Sequence, residues 1–438
     1  MKRYNKIHQA LALLLFALGT IGPRVEASQN GAQVAIDWNQ IAQQNIGGPP
    51  FSQTRSYAMV HVAMADAVIA IHGKYAPFHV PLDPPFAHGA SAQAAAAQAA
   101  HDVLVALVPA NQAALDAALE DTLDRIPPGR KWTGIRIGRR AAARVLEWRA
   151  NDGFALANPQ PPDFLPSTLP GIWRQTTDGP AGAAQFSELG NVLPFGLVST
   201  TQFLPAAPPQ LESAEYAADF DDVKAKGRAT GSTRTADEDR LAQLFAAAPG
   251  PYTNVTNPFR LWNNVARDVA VANDLSLLET VRMFALLNVS INDSLLTSQT
   301  SKFIYRVWRP VTAIAEAGSD DNPDTDAEAG WTPLLGTPPY PSHSSNMSCI
   351  GAGAAQMLGN VFGTDSVPFT AVWYDGATPP AVVSTQSYGS FWAMGRDEGS
   401  SRIWGGIHYR FEITASENSC AQVANYIFDN DLQRRRQH

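Results

Sequence analysis

The sequence predicts an all-α protein in which long connections rich in proline and glycine join the helices. Apolar residues recur at helical spacing along most of the chain, strand-like alternation is scarce, and proline and glycine cluster between the periodic segments. At 438 residues, of which 16% are charged, the chain is long enough to form a large core. These observations favour a protein built almost entirely from packed helices.

The predicted helices follow one another in a clear order. The first is rich in alanine, with leucines at a four-residue spacing, and the next continues an amphipathic pattern. A long apolar-periodic helix then leads into a basic segment, a helix rich in glycine and alanine allows close packing, and a further helix ends the chain. The five segments are 91–126, 135–148, 275–299, 348–362 and 414–432.

The first 27 residues have the pattern of a secretory signal. A basic start is followed by an apolar run over 10–21 and by the small-residue site Val25-Glu26-Ala27, so we expect cleavage after Ala27. The apolar run is shorter than the roughly 20 residues that a membrane-spanning helix needs, which argues against the alternative of an uncleaved anchor. No later segment qualifies as a span, and we expect a secreted protein, either periplasmic or extracellular.

The remainder, residues 28–438, is predicted to form one domain with two helical halves, 28–235 and 236–438. Residues 158–209 are dense in proline, glycine and threonine, which predicts a long surface connection that helps to wall the functional site. The net charge of −8 is mild, and nothing basic or repetitive suggests a nucleic-acid partner.

Three segments in the last third of the chain carry the strongest functional signal. KFIYRVWRP contains Lys302 and Arg309, PPYPSHSSNMS spans 338–348, and SRIWGGIH contains Arg402 and His408. A tetrahedral anion such as phosphate or vanadate carries up to three negative charges, and the lysine and two arginines supply three positive ones. The segments therefore predict a site for one small oxyanion.

The first two segments also have simpler local interpretations. Lys302 and Arg309 are seven residues apart, so on a continuous helix they face the same side, before Pro310 ends or kinks that helix. A surface cation–π contact with Trp308 is the alternative for the arginine. In the second segment Ser345 precedes an apolar helical run, where free N–H groups bind anions, although a serine there is often only a helix cap.

The third segment places a histidine after two glycines. Gly405 and Gly406 are expected to let the backbone pass close to the anion, next to His408. Glu412 lies four residues further on and would orient the imidazole if this turn is helical, as carboxylates orient ligand histidines. A satisfied core histidine is the alternative, although the chain has only 9 histidines.

These segments resemble the signature of the vanadium-dependent haloperoxidase and type 2 phosphatidic acid phosphatase superfamily. That signature consists of Lys-six residues-Arg-Pro, Pro-Ser-Gly-His and Ser-Arg-five residues-His, and the first and third elements match without gaps. The stretch WNQIAQQN and residues 56–71 and 322–342 look like the soluble, bacterial-type haloperoxidase branch. The resemblance covers most of the mature chain and implies the helical-bundle architecture of the vanadium haloperoxidase and acid phosphatase type.

The resemblance also implies a cofactor and substrates. Hydrogen peroxide, a halide and a small organic acceptor would be the partners, Lys302 would help to polarise the peroxide, and no haem would be needed. His408 would be the axial ligand of vanadium. The vanadate would be held by Lys302, Arg309, Ser345, the amide of Asn346, Arg402 and His408.

Two alternatives use the same residues. A phosphate-ester hydrolase of the acid phosphatase type would use His408 as its covalent nucleophile, with the cations stabilising the transition state. A non-catalytic secreted protein would bind the oxyanion without turnover. The sequence leaves all three functions open, because vanadate imitates phosphate.

The second element departs from the family's pattern. Aligning the prolines without a gap places Met347 at the acid–base histidine and Asn346 at the glycine, and methionine cannot transfer a proton. The alternative alignment, Pro341-Ser342-His343, drops the glycine and keeps a histidine. If the following helix starts early, His343 lies one turn from Met347, and it is therefore the candidate proton donor.

Cys349 and Cys420 are the two cysteines of the chain. Each lies just after one of the motifs, on helices that pack together if the motifs converge, and an exported chain permits a disulfide between them. The alternative is a pair of buried free thiols.

Overall fold

The structure is a computed structural model, and it describes residues 23–79, 89–157, 167–180, 184–246, 255–377 and 380–435. These residues are mainly helical, which confirms the predicted fold class. The predicted signal sequence lies largely outside them, so its cleavage stays a prediction. The helices are α1 (Pro23–Asn45), α2 (Pro50–His72), α3 (Ala92–Leu107), α4 (Gln112–Asp124), α5 (Lys131–Arg149), α6 (Phe154–Ala157), α7 (Ala214–Lys226), α8 (Ala236–Ala246), α9 (Pro258–Ala272), α10 (Leu277–Tyr305), α11 (Pro310–Glu316), α12 (Asn346–Phe362), α13 (Phe391–Trp404) and α14 (Arg410–Asn430).

Helix α10 is the central element of the fold. It begins with a capping box, in which the Ser276 side chain accepts from the Glu279 N–H while the Glu279 carboxylate accepts from the Ser276 N–H. Its side chains from Leu277 to Lys302 are almost all buried, because α2, α12, α14 and α1 pack around it. A helix surrounded in this way carries Lys302, near its C-terminal end, into the protein interior.

Small residues allow α12 to pack closely against its neighbours. A Cβ atom on Gly353 would lie 2.4 Å from Ser294 Oγ of α10, and one on Gly351 would lie 3.0 Å from the Gly395 carbonyl oxygen of α13. A Cβ atom on Gly353 would force a shift, and one on Gly351 would make a contact tighter than is usual, so both glycines favour the close helix contacts. The close packing predicted from the composition of this segment is confirmed.

A disulfide joins α12 to α14. Cys349 and Cys420 are bonded, with their Cα atoms 5.2 Å apart. Both residues are fully buried. The predicted pairing is confirmed, and it links the helix that begins at Asn346 to the helix that begins at Arg410.

One predicted helix is divided in the structure. The segment 91–126 forms α3 and α4, separated by a short 3₁₀ turn at Pro109–Asn111, because Pro109 cannot continue the helix that ends at Leu107. No single helix among the described residues is long and apolar enough to cross a membrane; α3 and the helical segment Pro109–Asp124 meet that test only together, with a bend of 119° between them.

The strands of the described residues form one small hairpin. Strands β1 (Phe369–Tyr374) and β2 (Val382–Tyr388) pair antiparallel, with Phe369 opposite Tyr388. This agrees with the scarcity of strand-like alternation in the sequence.

The described parts of the connection 158–209 run along the loops that follow α10 and precede α12. The Trp173 N–H donates to the Arg306 carbonyl oxygen at 2.7 Å, and the Gln185 N–H donates to the Pro339 carbonyl oxygen at 2.9 Å. Asp178 accepts from both the N–H and the hydroxyl of Thr337. These hydrogen bonds place the described parts of the connection beside those loops, and its role as a wall of the site stays a prediction.

Candidate oxyanion-binding site

The segment that carries Lys302 and Arg309 is not one continuous helix. Helix α10 ends at Tyr305, Arg306 adopts the left-handed conformation with φ 58°, and Pro310 is the first residue of α11. The expectation that Pro310 ends a helix reaching Arg309 is therefore wrong. Proline is favoured at the first position of a helix, because its missing N–H would have no partner there, so Pro310 starts a helix instead.

Lys302 and Arg309 nevertheless converge on one loop, residues 338–345. Lys302 Nζ donates to the Ser342 carbonyl oxygen at 2.8 Å and to the Ser344 carbonyl oxygen. Arg309 Nε donates to the Tyr340 carbonyl oxygen at 3.0 Å. Both cations are fully buried, and burial lowers the pKa of each.

His408 reaches the same cluster from the other side. Its Nε2 lies 3.2 Å from Arg309 Nη1, and its Nδ1 lies 2.6 Å from Glu412 Oε2. A guanidinium only donates, so Nε2 is the acceptor and the ring proton is on Nδ1. Burial, then the charges of Arg309 and Lys302, holds the pKa of His408 well below its usual value. The imidazole is therefore neutral, with the Nε2 lone pair facing the cations.

Glu412 holds His408 in this orientation. Its Oε2 also accepts from the Ser342 hydroxyl at 2.8 Å and from the Tyr409 N–H at 3.1 Å, whereas Oε1 is buried without a partner. Burial raises the pKa of Glu412 to about 7, and Lys302 and Arg309 act in the opposite direction. Sequence analysis predicted that Glu412 would orient His408 if the turn between them was helical. Glu412 does lie in the first turn of α14.

The glycines before His408 allow a close approach to other parts of the chain, and their approach to an anion stays a prediction. A Cβ atom on Gly406, which has φ 79°, would lie 2.4 Å from the Gly227 carbonyl oxygen, and one on Gly227 would lie 2.4 Å from Gly406 Cα. A Cβ atom on Gly405 would meet Leu335. Among the described residues, the close approach is to the end of α7 and to the 331–337 loop, and it fixes the position of the His408 loop.

The N-terminus of α12 lies beside Lys302. Ser345 is its N-cap, and the Ser345 hydroxyl oxygen accepts from the Ser348 N–H at 3.3 Å and from the Ser348 hydroxyl at 2.8 Å. The N–H groups of Asn346 and Met347 belong to the first turn, where a helix offers no partner within itself. The capping interpretation holds, and it leaves the Ser345 proton and these N–H groups for a ligand.

Arg402 lies in the last turn of α13 and is 4% exposed. Its Nε donates to the Ser401 hydroxyl oxygen at 3.0 Å and its Nη2 to the Ala242 carbonyl oxygen at 3.4 Å. The positive charge of Arg402 also lowers the pKa of His408, after the larger effects of burial, Arg309 and Lys302. Arg402 is therefore close enough to act electrostatically on His408, although its hydrogen bonds among the described residues go to Ser401 and Ala242.

Glu398, one helical turn before Arg402, is a buried carboxyl that sequence analysis did not identify. Its Oε2 accepts from Trp262 Nε1 at 2.7 Å, and its Oε1 has no partner. Burial raises its pKa to about 8 from a usual 4.5, although Trp262 and Arg402 oppose this. The sequence places Glu398 one turn from Arg402, but its burial depends on how α13 packs and is known only from the structure.

Glu398 should make the protein less stable as the pH rises. In the folded state it keeps its proton up to about pH 8, whereas in the unfolded chain it ionises near 4.5. The contribution of Glu398 to the unfolding free energy is therefore fully present below pH 4.5. It is lost as the pH rises from 4.5 through 8, because in this range the unfolded chain releases the proton and the folded protein keeps it. We expect Glu398→Gln to reduce the fall in unfolding free energy between pH 5 and 8 by at least about 1.4 kcal/mol, the value of one pKa unit.

Urea unfolding at a series of pH values measures this effect. The control is Glu120→Gln on α4, where the side chain is exposed. An identical pH slope in wild type and Glu398→Gln would show that Glu398 ionises normally in the folded protein.

The candidate proton donor His343 is a core residue in this structure. Helix α12 begins at Asn346, so the early start that would place His343 on its face does not occur. His343 Nε2 donates to the Ala206 carbonyl oxygen at 2.8 Å, its ring lies 5.0 Å from the ring of Tyr305, and its Nδ1 is buried without a partner. Burial lowers its pKa to about 4. In this neutral form Nδ1 carries no proton, so the role of His343 as a proton donor stays a prediction that requires Nδ1 to be protonated first.

Positive charge predominates in the described part of the site, where Glu412 and Glu398 are the nearby carboxyls. Among the residues that the structure describes, Lys302, Arg309 and Arg402 form no salt bridge. Arg309 Nη2 is buried and has no hydrogen-bond partner. Burying unpaired charge is costly, so three such cations beside a helix N-terminus indicate a site built for an anion. The donors fit vanadate or phosphate.

A multi-ligand metal centre does not account for the cluster. Within the described ranges, no group of three or more His, Cys, Asp or Glu side chains is placed to hold a metal ion. A metal here would be bound through one histidine, with the cations and N–H groups contacting its oxygens. This is the chemistry of an oxyanion, not of a bare cation.

Comparisons with known proteins give matches that include the part of the chain that carries the site. Residues 282–436 match a family model described as the VCPO second helical-bundle domain. Vanadium chloroperoxidase from Curvularia inaequalis is 24% identical over 266 residues, which are 49% of this chain and 44% of that protein. The chain thus spans less than half of that relative's length.

Solved structures match over nearly the whole chain. A bacterial vanadium-dependent iodoperoxidase is 23% identical, with a TM-score of 0.74 over 92% of this chain and 97% of that chain. The holo-type structure of a bacterial vanadium-dependent chloroperoxidase is 15% identical, with a TM-score of 0.66 over 95% and 98%. At these identities the similarity establishes the fold, and it confirms the helical-bundle architecture predicted from the motifs.

Proposed function

We propose that this chain, which belongs to the vanadium haloperoxidase superfamily, is a vanadate-dependent haloperoxidase-like oxidoreductase that uses hydrogen peroxide to oxidise halide. The observation that supports this most strongly is a group of three buried cations that have no salt bridge among the described residues, with Arg309 lying 3.2 Å from the Nε2 lone pair of neutral His408. An oxyanion would neutralise the charge, and a vanadium centre would accept the lone pair.

The residues of the chain have distinct roles in this proposal. His408 would hold the vanadium through Nε2, and Glu412 keeps that nitrogen unprotonated by accepting the proton at Nδ1. Lys302, Arg309 and Arg402 would contact the oxygens, together with Ser345 and the N–H of Asn346. Bound vanadate would supply Lewis acidity toward peroxide. The buried cations hold negative charge in a site with little water, where their effect is strong.

Phosphate-ester hydrolysis is the second candidate, and one observation favours it. A neutral imidazole with its Nε2 exposed to the cations is also the arrangement of a nucleophile oriented by a carboxylate. In the alignment without a gap, Met347 takes the position of the proton donor for the leaving group, and this alignment weighs against efficient hydrolysis.

Paired assays on the purified protein distinguish these functions. Bromination and iodination of a phenol in the presence of peroxide and orthovanadate would support the haloperoxidase, whereas release from an aryl phosphate without peroxide would support the phosphatase. Binding of either oxyanion without turnover would indicate a non-catalytic binder. The matched variants are Arg402→Ala and Arg396→Ala, both on α13, because Arg396 is exposed. Equal oxyanion binding by these two variants would contradict the proposed site.

We also propose that the protein is exported, with Ser28 as its first residue after cleavage. The pattern of the first 27 residues supports this. Intact mass of protein recovered from the periplasm or medium is the measurement, and a full-length mass would contradict it.

A further inference from the structure

We propose that Tyr340 is part of the oxyanion site and that its hydroxyl donates a hydrogen bond to the bound oxyanion. This inference rests on the proposed function and adds a residue that the motifs do not include. The evidence consists of the positions of the Tyr340 backbone, the Tyr340 ring and the Tyr340 hydroxyl.

The backbone of Tyr340 is attached to one of the site cations. Its carbonyl oxygen accepts from Arg309 Nε at 3.0 Å, and its N–H donates to the Pro338 carbonyl oxygen at 2.9 Å. Proline precedes and follows it, at 339 and 341, which restricts the backbone on both sides. Tyr340 is therefore held in place by the residues that build the site.

The ring of Tyr340 covers two of the cations. Lys302 Nζ and the Arg309 guanidinium carbon each lie 5.3 Å from the ring centroid. Contacts of this kind attract cations to the ring face. Tyr340 itself is partly exposed, whereas Lys302 and Arg309 are fully buried, so the ring forms the solvent side of the charged group.

The hydroxyl of Tyr340 lies at the N-terminus of α12. It shares a hydrogen bond with the side chain of Asn346, and it lies within the electrostatic influence of Arg402. Burial raises the pKa of Tyr340, while Arg309, the Asn346 hydrogen bond and Arg402 oppose this. Asn346 Oδ1 already accepts from the Ser298 hydroxyl at 2.7 Å, and one Nδ2 hydrogen goes to Gln299 Oε1 at 3.0 Å. The second Nδ2 hydrogen is the one available to the phenol oxygen, which leaves the phenolic proton for another acceptor.

Neither residue that aligns with the acid–base histidine of the family supplies a donor from its side chain. Met347 has no proton to donate, and the His343 Nε2 proton already goes to the Ala206 carbonyl oxygen. The Tyr340 hydroxyl lies near Asn346 and Arg402, which are both expected to contact the oxyanion. An oxyanion between them would place an oxygen within reach of the phenol.

The test is the binding of inorganic phosphate and orthovanadate to Tyr340→Phe, measured by isothermal titration calorimetry. A hydrogen bond to a charged group is worth about 10- to 100-fold in affinity, and we expect a loss of that size. The near-ultraviolet difference spectrum of tyrosine on oxyanion binding is the second measurement, and it should be lost in this variant. The control is Tyr426→Phe, about four turns along α14 from Glu412, which should behave as wild type.

Each outcome bears on a different claim. Unchanged or tighter binding by Tyr340→Phe, with the wild-type protein binding normally, overturns the role of Tyr340 and leaves the proposed function standing. Wild-type protein that binds neither anion overturns both. Thermal unfolding of each variant checks that the substitution leaves the fold intact.

Discussion

Replacing His408 by alanine should abolish turnover, by at least about 10³-fold, in whichever of the two catalytic functions the protein performs. The substitution removes the nitrogen lone pair that faces Lys302 and Arg309, which is either the vanadium ligand or the nucleophile. The three cations remain, so phosphate should still bind, whereas orthovanadate should bind much more weakly. Steady-state assays and calorimetric titration with both anions measure these effects.

A graded variant and a matched control make this result specific. Glu412→Gln keeps the size of the side chain and an acceptor for His408 Nδ1 but removes the charge, so we expect a smaller loss of about 10- to 100-fold. His72→Ala, at the exposed end of α2, should have no effect. Wild-type turnover in His408→Ala with a normal circular dichroism spectrum would place the reaction elsewhere in the molecule.

Removing the disulfide should be the most destabilising change outside the site. Cys349 and Cys420 are separated by 71 residues, and closing a loop of that length stabilises a protein by roughly 4 kcal/mol in the chain-entropy account. We expect Cys349→Ala and the double variant with Cys420→Ala to lose similar amounts of unfolding free energy, because either change breaks the same bond. Urea unfolding measures the loss.

Reduced wild-type protein is the control for the disulfide prediction. It should unfold at a urea concentration close to that of the double variant, because the covalent link is absent from both. A loss of less than about 1 kcal/mol in the variants would mean that the packing of α12 against α14 alone holds these helices together.

Much of the fold and the site could be predicted because the relevant signals are short-range. The apolar periodicity of α10, the serine cap at Ser345 and the four-residue spacing of His408 and Glu412 each act within one or two helical turns. Such patterns depend on backbone geometry that any helix shares. The disulfide required one further step, the convergence of the two motifs that precede the cysteines.

The features that sequence analysis missed depend on contacts between distant segments. Tyr340 lies over Lys302 and Arg309 because the 338–345 loop packs on α10 and α11, and a proline-rich loop has no periodicity that reveals this. Its one signal was its place between two prolines in the segment 338–348, directly before Ser342 and His343. The new helix at Pro310 was missed for a related reason, since proline both ends helices and starts them.

The paired glycines at 227 and 406 have a consequence for how the chain can be divided. A fragment beginning at residue 236 would contain every charged residue of the site, yet it would lack Gly227, against whose carbonyl oxygen the His408 loop is packed. Such a fragment would keep the site residues but lose the surface that positions His408. Dividing the chain at residue 235 would therefore remove this contact, and no change at one glycine can make room for a side chain at the other, because glycine is already the smallest residue.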